Sequence, residues 1–188
     1  MSAYRDEIRV PLLSTMLTTR QRLKSAELRS PHLPQEGYEI ERKFLLSGTP
    51  PSVLDSPKLV VKQGWIPGKK LKERLRMTSY EDGSARYFRT VKSGSGLVKI
   101  EIEEQTNAEL FDYLWPLTVG RRVTKLRYLV QEVGFLWEVD VFTDRELVLA
   151  EVELPTPESL APMPAWILPY MVREVTEDSS YSNSSLAF

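Results

Sequence analysis

Cysteine is absent from this 188-residue chain, which removes disulfides, thiolate nucleophiles and zinc–thiolate sites together. Histidine is nearly absent as well. The only one, His32, sits in the stretch Ser30-Pro31-His32-Leu33-Pro34, away from the charged runs of the sequence. That position argues against a histidine triad, a histidine-ligated zinc and a histidine general base. No apolar run approaches the ~18 residues that a membrane span requires, and the amino terminus lacks a basic stretch followed by a continuous apolar one. The sequence therefore reads as soluble and cytoplasmic, with no membrane partner. An excess of one charge is missing too: 25 basic and 26 acidic residues leave a net charge of −1, so no global field draws the chain to nucleic acid. Anion binding must then come from local clustering. With 41% hydrophobic residues, a chain of this length can bury one sizeable core.

What is present is charge on every second residue. Side chains at i and i+2 of a strand share one face about 7 Å apart. Glu39, Glu41 and Lys43 therefore lie on one surface, with Ile40 and Phe44 behind it. The pattern returns at Arg74 and Arg76, at Glu101 and Glu103, at Lys125 and Arg127, at Glu138 and Asp140, and at Glu151 and Glu153, while Lys92 ends a further run from Tyr87. The sign is sorted strand by strand. Two like charges ~7 Å apart repel by roughly 2 kcal/mol at an effective dielectric near 20, so each such face needs opposite charges or bound ions beside it. An ordinary solvated sheet face mixes Thr, Ser and Gln with its charges, whereas the centres of these runs carry almost nothing but Glu, Asp, Lys and Arg.

The periodicity and turn residues predict eight strands, at 38–46, 58–66, 71–78, 85–92, 97–104, 122–131, 134–142 and 147–154. Pro50-Pro51, Pro67-Gly68, Asp82-Gly83, the Ser93-Gly94-Ser95-Gly96 loop and Gly134 divide them, and the short connections favour antiparallel hairpins. The spacing of Leu110, Phe111, Leu114 and Trp115 predicts a core-packed helix over 107–115, with Asn107 as its N-cap. Residues 1–36 read as an amino-terminal extension, helical across 12–29, ahead of one domain at 37–188. Eight antiparallel strands can close into a barrel. The expected fold is thus mainly β: a closed eight-stranded antiparallel barrel with a charged lumen, its apolar outside covered by the helix and by Pro155–Met171.

The inward faces would carry eight acids, Glu39, Glu41, Glu101, Glu103, Glu138, Asp140, Glu151 and Glu153. Seven bases stand against them: Lys43, Arg74, Arg76, Lys92, Lys99, Lys125 and Arg127. Carboxylate oxygens suit Mg²⁺ or Mn²⁺, and Arg and Lys together suit a phosphate chain. The ordered set Glu39-x-Glu41-x-Lys43, Gln63-Gly64, Arg74-x-Arg76, Lys92, Glu101-x-Glu103, Lys125-x-Arg127, Glu138-x-Asp140-x-Phe142 and Glu151-x-Glu153 resembles the triphosphate tunnel metalloenzymes, the CYTH superfamily. The ending from Glu174 to Asp178, followed by Tyr181, Asn183 and Leu186, is similar to that of bacterial members, so the likeness spans roughly 37–188.

The resemblance implies a tunnel that binds a small-molecule triphosphate with Mg²⁺ or Mn²⁺ and cleaves its terminal phosphoanhydride, inorganic tripolyphosphate being the leading substrate. A class IV adenylyl cyclase, a thiamine or nucleoside triphosphatase, and a noncatalytic polyphosphate-binding module are the alternatives, and a homodimer is left open. Carried over, Glu39, Glu41, Glu151, Glu153 and Asp140 are metal ligands. Lys43, Arg74, Arg76, Lys92, Lys125 and Arg127 contact phosphate, Glu101, Glu103 and Glu138 support them, and Lys125 and Glu41 are the catalytic candidates. One position departs: the Tyr that usually follows Gln-Gly is Trp65 here.

Overall fold

The computed structural model describes residues 40–68, 72–93, 100–156 and 159–188, with 92, 93, 100 and 101 described by backbone alone. Nine strands form one antiparallel sheet: β1 (Glu41–Leu46), β2 (Lys58–Ile66), β3 (Lys72–Ser79), β4 (Ala85–Ser93), β5 (Ile100–Thr106), β6 (Arg122–Glu132), β7 (Phe135–Phe142), β8 (Val148–Glu153) and β9 (Met171–Glu174). Their order is β5-β4-β3-β2-β6-β7-β8-β1-β9. Each of the eight expected strands has its counterpart, with ends that differ by a few residues. The extension at 1–36, its helix at 12–29, Glu39, Lys99 and the Gly-rich part of the 93–96 loop lie outside the described residues.

Two features differ from the sequence expectation. The first is β9, whose four residues pair with β1 from Phe44↔Glu174 to Leu46↔Met171 through a register shift. A strand that short carries too few alternations to be read from periodicity. The second is closure. Among the described residues no hydrogen-bonded ladder joins β5 to β9, so the sheet has two edges where a closed barrel has none.

The alternation sets the core. Phe44 and Leu46 of β1, Trp137 and Val139 of β7, and Ala150 and Val152 of β8 point to the outer face and bury together. Ala161 and Ile167 seal them, with Met163, Trp166 and Tyr170 packed alongside. Residues 161–170 thus cover the apolar side, as the composition of Pro155–Met171 predicts. α1 (Ala108–Leu114) starts at Asn107, whose side chain accepts the Leu110 amide. Of its apolar residues Phe111 is fully buried, stacked between Tyr87 and Trp115, whereas Leu110 stays exposed. A helix of seven residues has a stripe only one side chain wide.

Two glycines answer to geometry. Gly134 (φ 80°) follows Val133 (φ 44°) in the two-residue β6–β7 turn, where both positions are left-handed, as tight hairpins require. Gly64 lies against the 3₁₀ turn at Trp115–Thr118: a Cβ there would meet Thr118 Oγ1 at 2.6 Å. The Gln63-Gly64 pair therefore combines a side chain on one face with a required absence of one on the other.

Candidate functional site

The ladder register fixes which charges share a face. Lys43 stands opposite Glu151, and Glu151 opposite Glu138. Arg127 stands opposite Asp140, Lys125 opposite Val61, Gln63 opposite Arg76, and Trp65 opposite Arg74. Thr90 follows opposite Arg74 and Glu103, and Lys92 opposite Glu101. All the expected site residues that are described lie on one side of the sheet. The face also carries an apolar end made of Trp65, Val123, Phe142 and Leu149, closed by Val175 and Ala187 with Tyr181 and Leu186 beside them. The carboxy-terminal segment after β9 thus covers one end of the face and leaves the other charged.

Three ion clusters occupy the charged part, the first two joined through Glu151. In the first, Asp140 receives Lys125 Nζ and both Arg127 Nε (2.7 Å) and Arg127 Nη2 (2.7 Å). Asp140 and Lys125 have no exposed surface. Burial would raise the Asp140 carboxyl's pKa, but Arg127 and Lys125 outweigh it and hold the group well below the carboxylate range. Arg127 is also paired with Glu138 and Glu151, and these carboxylates hold it charged despite its burial. Glu138 shifts the other way: burial pushes it up, with Asp140 and Glu151 adding to the effect against Arg127.

In the second, buried Lys43 links Glu151 (3.0 Å) and Glu41 (3.3 Å). Burial pulls its ammonium down, but Glu151 and Glu41 prevail and its pKa is raised. In the third, Glu103 bridges Arg74 (2.9 Å) and Arg76 (2.7 Å), while Thr90 accepts from Arg74 and donates to Glu103. Arg76 is lowered by burial and by the like charges of Arg74 and Arg127, which Glu103 and Glu138 only partly offset. Arg127 is on β6, two strands away from β3, and its charge still bears on Arg76, so three guanidiniums share one region of the same face. Such convergence is repulsive on its own and favourable around an anion.

The sequence-derived site residues fall in different surroundings. Lys125 is not at the surface of the site: its ammonium is spent on Asp140 and on Asn183 Oδ1 (3.2 Å). Asp140 faces these cations rather than the other carboxylates. Among the described residues no three acids are grouped to hold a metal ion. Glu41 and Glu153 are directly opposed across β1 and β8, while Lys92 and Glu101 are placed by register alone. Trp65 is buried in the apolar end, and its backbone amide donates to the Arg121 carbonyl. Sequence reasoning missed Thr90 and Asn183 as partners of site residues. Thr90 was detectable from its place between Phe88 and Lys92 in an alternating run, whereas Asn183 stood out only within the carboxy-terminal resemblance, and its contact with Lys125 spans 58 residues of chain.

Two relatives align with most of the chain. An inorganic triphosphatase of Nitrosomonas europaea is 40% identical over 155 residues, covering 79% of this chain and 96% of that protein. The chain belongs to the inorganic triphosphatase family. An inorganic triphosphatase of Acetivibrio thermocellus is 37% identical over 157 residues, covering 80% of this chain and 93% of its own length. The solved inorganic triphosphatase NE1496 superposes with a TM-score of 0.59 at 35% identity, over 83% of this chain and 96% of that one. No family model matches the chain.

Proposed function

We propose that this protein is a divalent-metal-dependent triphosphatase that cleaves the terminal phosphoanhydride of inorganic tripolyphosphate to orthophosphate and pyrophosphate. The observation that carries the reading is the placement of Arg74, Arg76 and Arg127 on one face of the sheet, each held by carboxylates. Guanidiniums fork onto phosphate oxygens, and fixed cations stabilise charge on a transferring phosphoryl group. The family relationship points to the same chemistry.

The open sheet would complete a triphosphate tunnel once its edges approach around the ligand. Arg74 and Arg76 would exchange part of their contact with Glu103 for phosphate oxygens. Lys43 and Arg127 would approach the chain from the opposite wall, while Asp140, itself inaccessible, holds Arg127 and Lys125 in place. Lys92, Glu101 and Glu39 extend the same face by sequence pattern.

The donor chemistry fits Mg²⁺ or Mn²⁺. Glu41 and Glu153 are acids set directly opposite each other, with Lys43 beside Glu41, and their donors are all oxygen. Glu41 and Glu153 would hold the ion together with phosphate oxygens, and when bound it would draw charge off those oxygens.

The test is hydrolysis of tripolyphosphate by the full chain with Mg²⁺ or Mn²⁺, read as orthophosphate release, alongside ATP and thiamine triphosphate. Orthophosphate from tripolyphosphate that stops in excess chelator supports the reading. A cyclic nucleotide from ATP, or thermal stabilisation by tripolyphosphate without turnover, would replace it with the cyclase or the binding module.

A further inference from the structure

Gln63 is 3% exposed, and its Oε1 has no hydrogen-bond partner among the protein's own groups. Buried amide oxygens are rarely left so, and each exception calls for an explanation. Its neighbours across the ladder are Arg76 on one side and Val123 on the other. Val61 and Trp65 flank it along β2 on the same face, and Val61 is the register partner of Lys125. The cations nearest to it in the ladder are Arg76, directly across, and Arg74 and Lys125, each one position removed.

These cations are donors only. Arg76 Nε, across the ladder from Gln63, likewise lacks a partner, although the other end of that guanidinium is held by Glu103 and lies over the Phe88 ring. An acceptor and a donor on register-paired residues are thus both without a protein partner, within a face rich in fixed positive charge. An ionised phosphate chain can satisfy the donor but not the acceptor, since it has no hydrogen to give. A molecule that serves both at once must carry hydrogens and lone pairs, and water does.

We propose that Gln63 positions the hydrolytic water. This rests on the triphosphatase reading. The water donates one hydrogen to Gln63 Oε1 and accepts from Arg76 Nε, which leaves a lone pair for the terminal phosphorus. As the water oxygen bonds to phosphorus, the P–O bond to the bridging oxygen breaks and pyrophosphate leaves with the electron pair. The proton released passes to a nonbridging phosphate oxygen and on to solvent, because an amide oxygen is too weak a base to keep it. Gln63 therefore orients the nucleophile and is not a general base. The same division of labour, a glutamine amide that aligns water without ionising, is chemically available wherever phosphoryl transfer is governed by positioning.

The experiment compares the full chain with Gln63→Leu and Gln63→Glu, using tripolyphosphate and Mg²⁺. Leu retains the apolar contacts and deletes the acceptor. It should lower kcat about 100-fold, the scale of losing one preorganised hydrogen bond at a reacting centre, with KM changed by less than about threefold. Its melting temperature should not fall, because an unsatisfied buried acceptor has been removed. Gln63→Glu retains an acceptor oxygen there and should keep more turnover than the Leu variant. Unchanged kcat in Gln63→Leu would overturn the proposal. So would a raised KM at constant kcat, or a Glu variant slower than Leu, since both would make the amide a phosphate donor. If Gln63→Leu fails to fold, Gln63→Met gives the same comparison. An inactive wild-type chain would sink the triphosphatase reading itself, whereas an active wild type with an equally active Gln63→Leu sinks this inference alone.

Discussion

Two carboxylates on the charged face hold two cations each, and their surroundings are opposite. Asp140 bridges Lys125 and Arg127 with no exposed surface of its own. Glu103 bridges Arg74 and Arg76 while about a third of its side chain remains in solvent (32%). The arrangement of charges is the same, a carboxylate set between cations at i and i+2, but the energetics are not. Around Asp140 water cannot replace a lost partner, so the network is rigid. Around Glu103 water screens each pair, so the contacts can be exchanged for those of a ligand at little cost. The buried fork is fitted to hold the wall in shape, and the exposed fork is fitted to release its arginines to phosphate.

The sharpest way to break that contrast is to remove both carboxylates in turn. Asp140→Ala leaves Lys125 and Arg127 short of their shared partner and should cost about 3–5 kcal/mol, whereas Glu103→Ala should cost less than about 1 kcal/mol. Denaturant midpoints of the two variants measure this directly. Equal losses would mean that burial does not distinguish the two sites. The depressed pKa of Asp140 adds a pH signature. Its stabilising contribution is complete above the ordinary carboxylate range and declines in acid as the folded-state group takes its proton.

Arginine removal should have the next largest effect, and on activity rather than stability. Arg74→Ala and Arg76→Ala should each reduce kcat/KM for tripolyphosphate about 100- to 1,000-fold, the scale for one preorganised donor. Thermal melts recorded with and without tripolyphosphate should show a small change in the free protein and a reduced shift on binding. A variant that simply unfolds would make the exposed fork a structural element like the buried one.

A smaller effect is expected when the exposed fork is loosened. Glu103→Gln removes the charge that competes with phosphate and should lower KM by up to about fivefold, the equivalent of the ~1 kcal/mol that an exposed ion pair is worth. A raised KM would show that Glu103 orients the arginines more than it occupies them.

The smallest effect belongs to a third carboxylate, at the β1–β9 edge. Glu174 accepts Arg42 Nε (3.0 Å), Arg42 Nη2 (2.7 Å) and the Thr176 hydroxyl (2.6 Å), and with Arg42 as the main cause its pKa falls to about 2 from an ordinary 4.5. Its stabilising effect is present above pH ~4.5 and is lost as pH falls through ~2. Because the pair is exposed, Glu174→Gln should cost no more than about 1 kcal/mol at pH 7 and progressively less as pH falls toward and below about 2. Urea titrations at several pH values check both ends.

Much of this architecture is legible in the alternation of residues. A strand has period two whatever it packs against, so Arg74-x-Arg76, Glu138-x-Asp140 and Glu151-x-Glu153 disclose a shared charged face before any pairing is known. The Asn107 cap and the left-handed Gly134 turn are also local, each set within a few residues. Other features were not readable. β9 is too short for a pattern, and it exists because the β1 edge offers Phe44 to Leu46 as a template. Leu110 shared the helical stripe of Phe111 but had no neighbouring element to cover it.

By itself, then, the sequence determined that this protein would build antiparallel strands with acids and bases sorted onto one face, because side-chain alternation and turn chemistry act over short distances. The tertiary structure alone decided which charges meet and how deeply. Lys125 reads like Arg74 in the sequence, yet one is sealed beside Asp140 and Asn183 while the other sits with the exposed Glu103. The strength of an ion pair depends on the water around it, and the water is excluded by residues far away along the chain. The same long-range packing left Gln63 buried beside Arg76 with an acceptor open, a fact that no run of letters around Gln63-Gly64 could have disclosed.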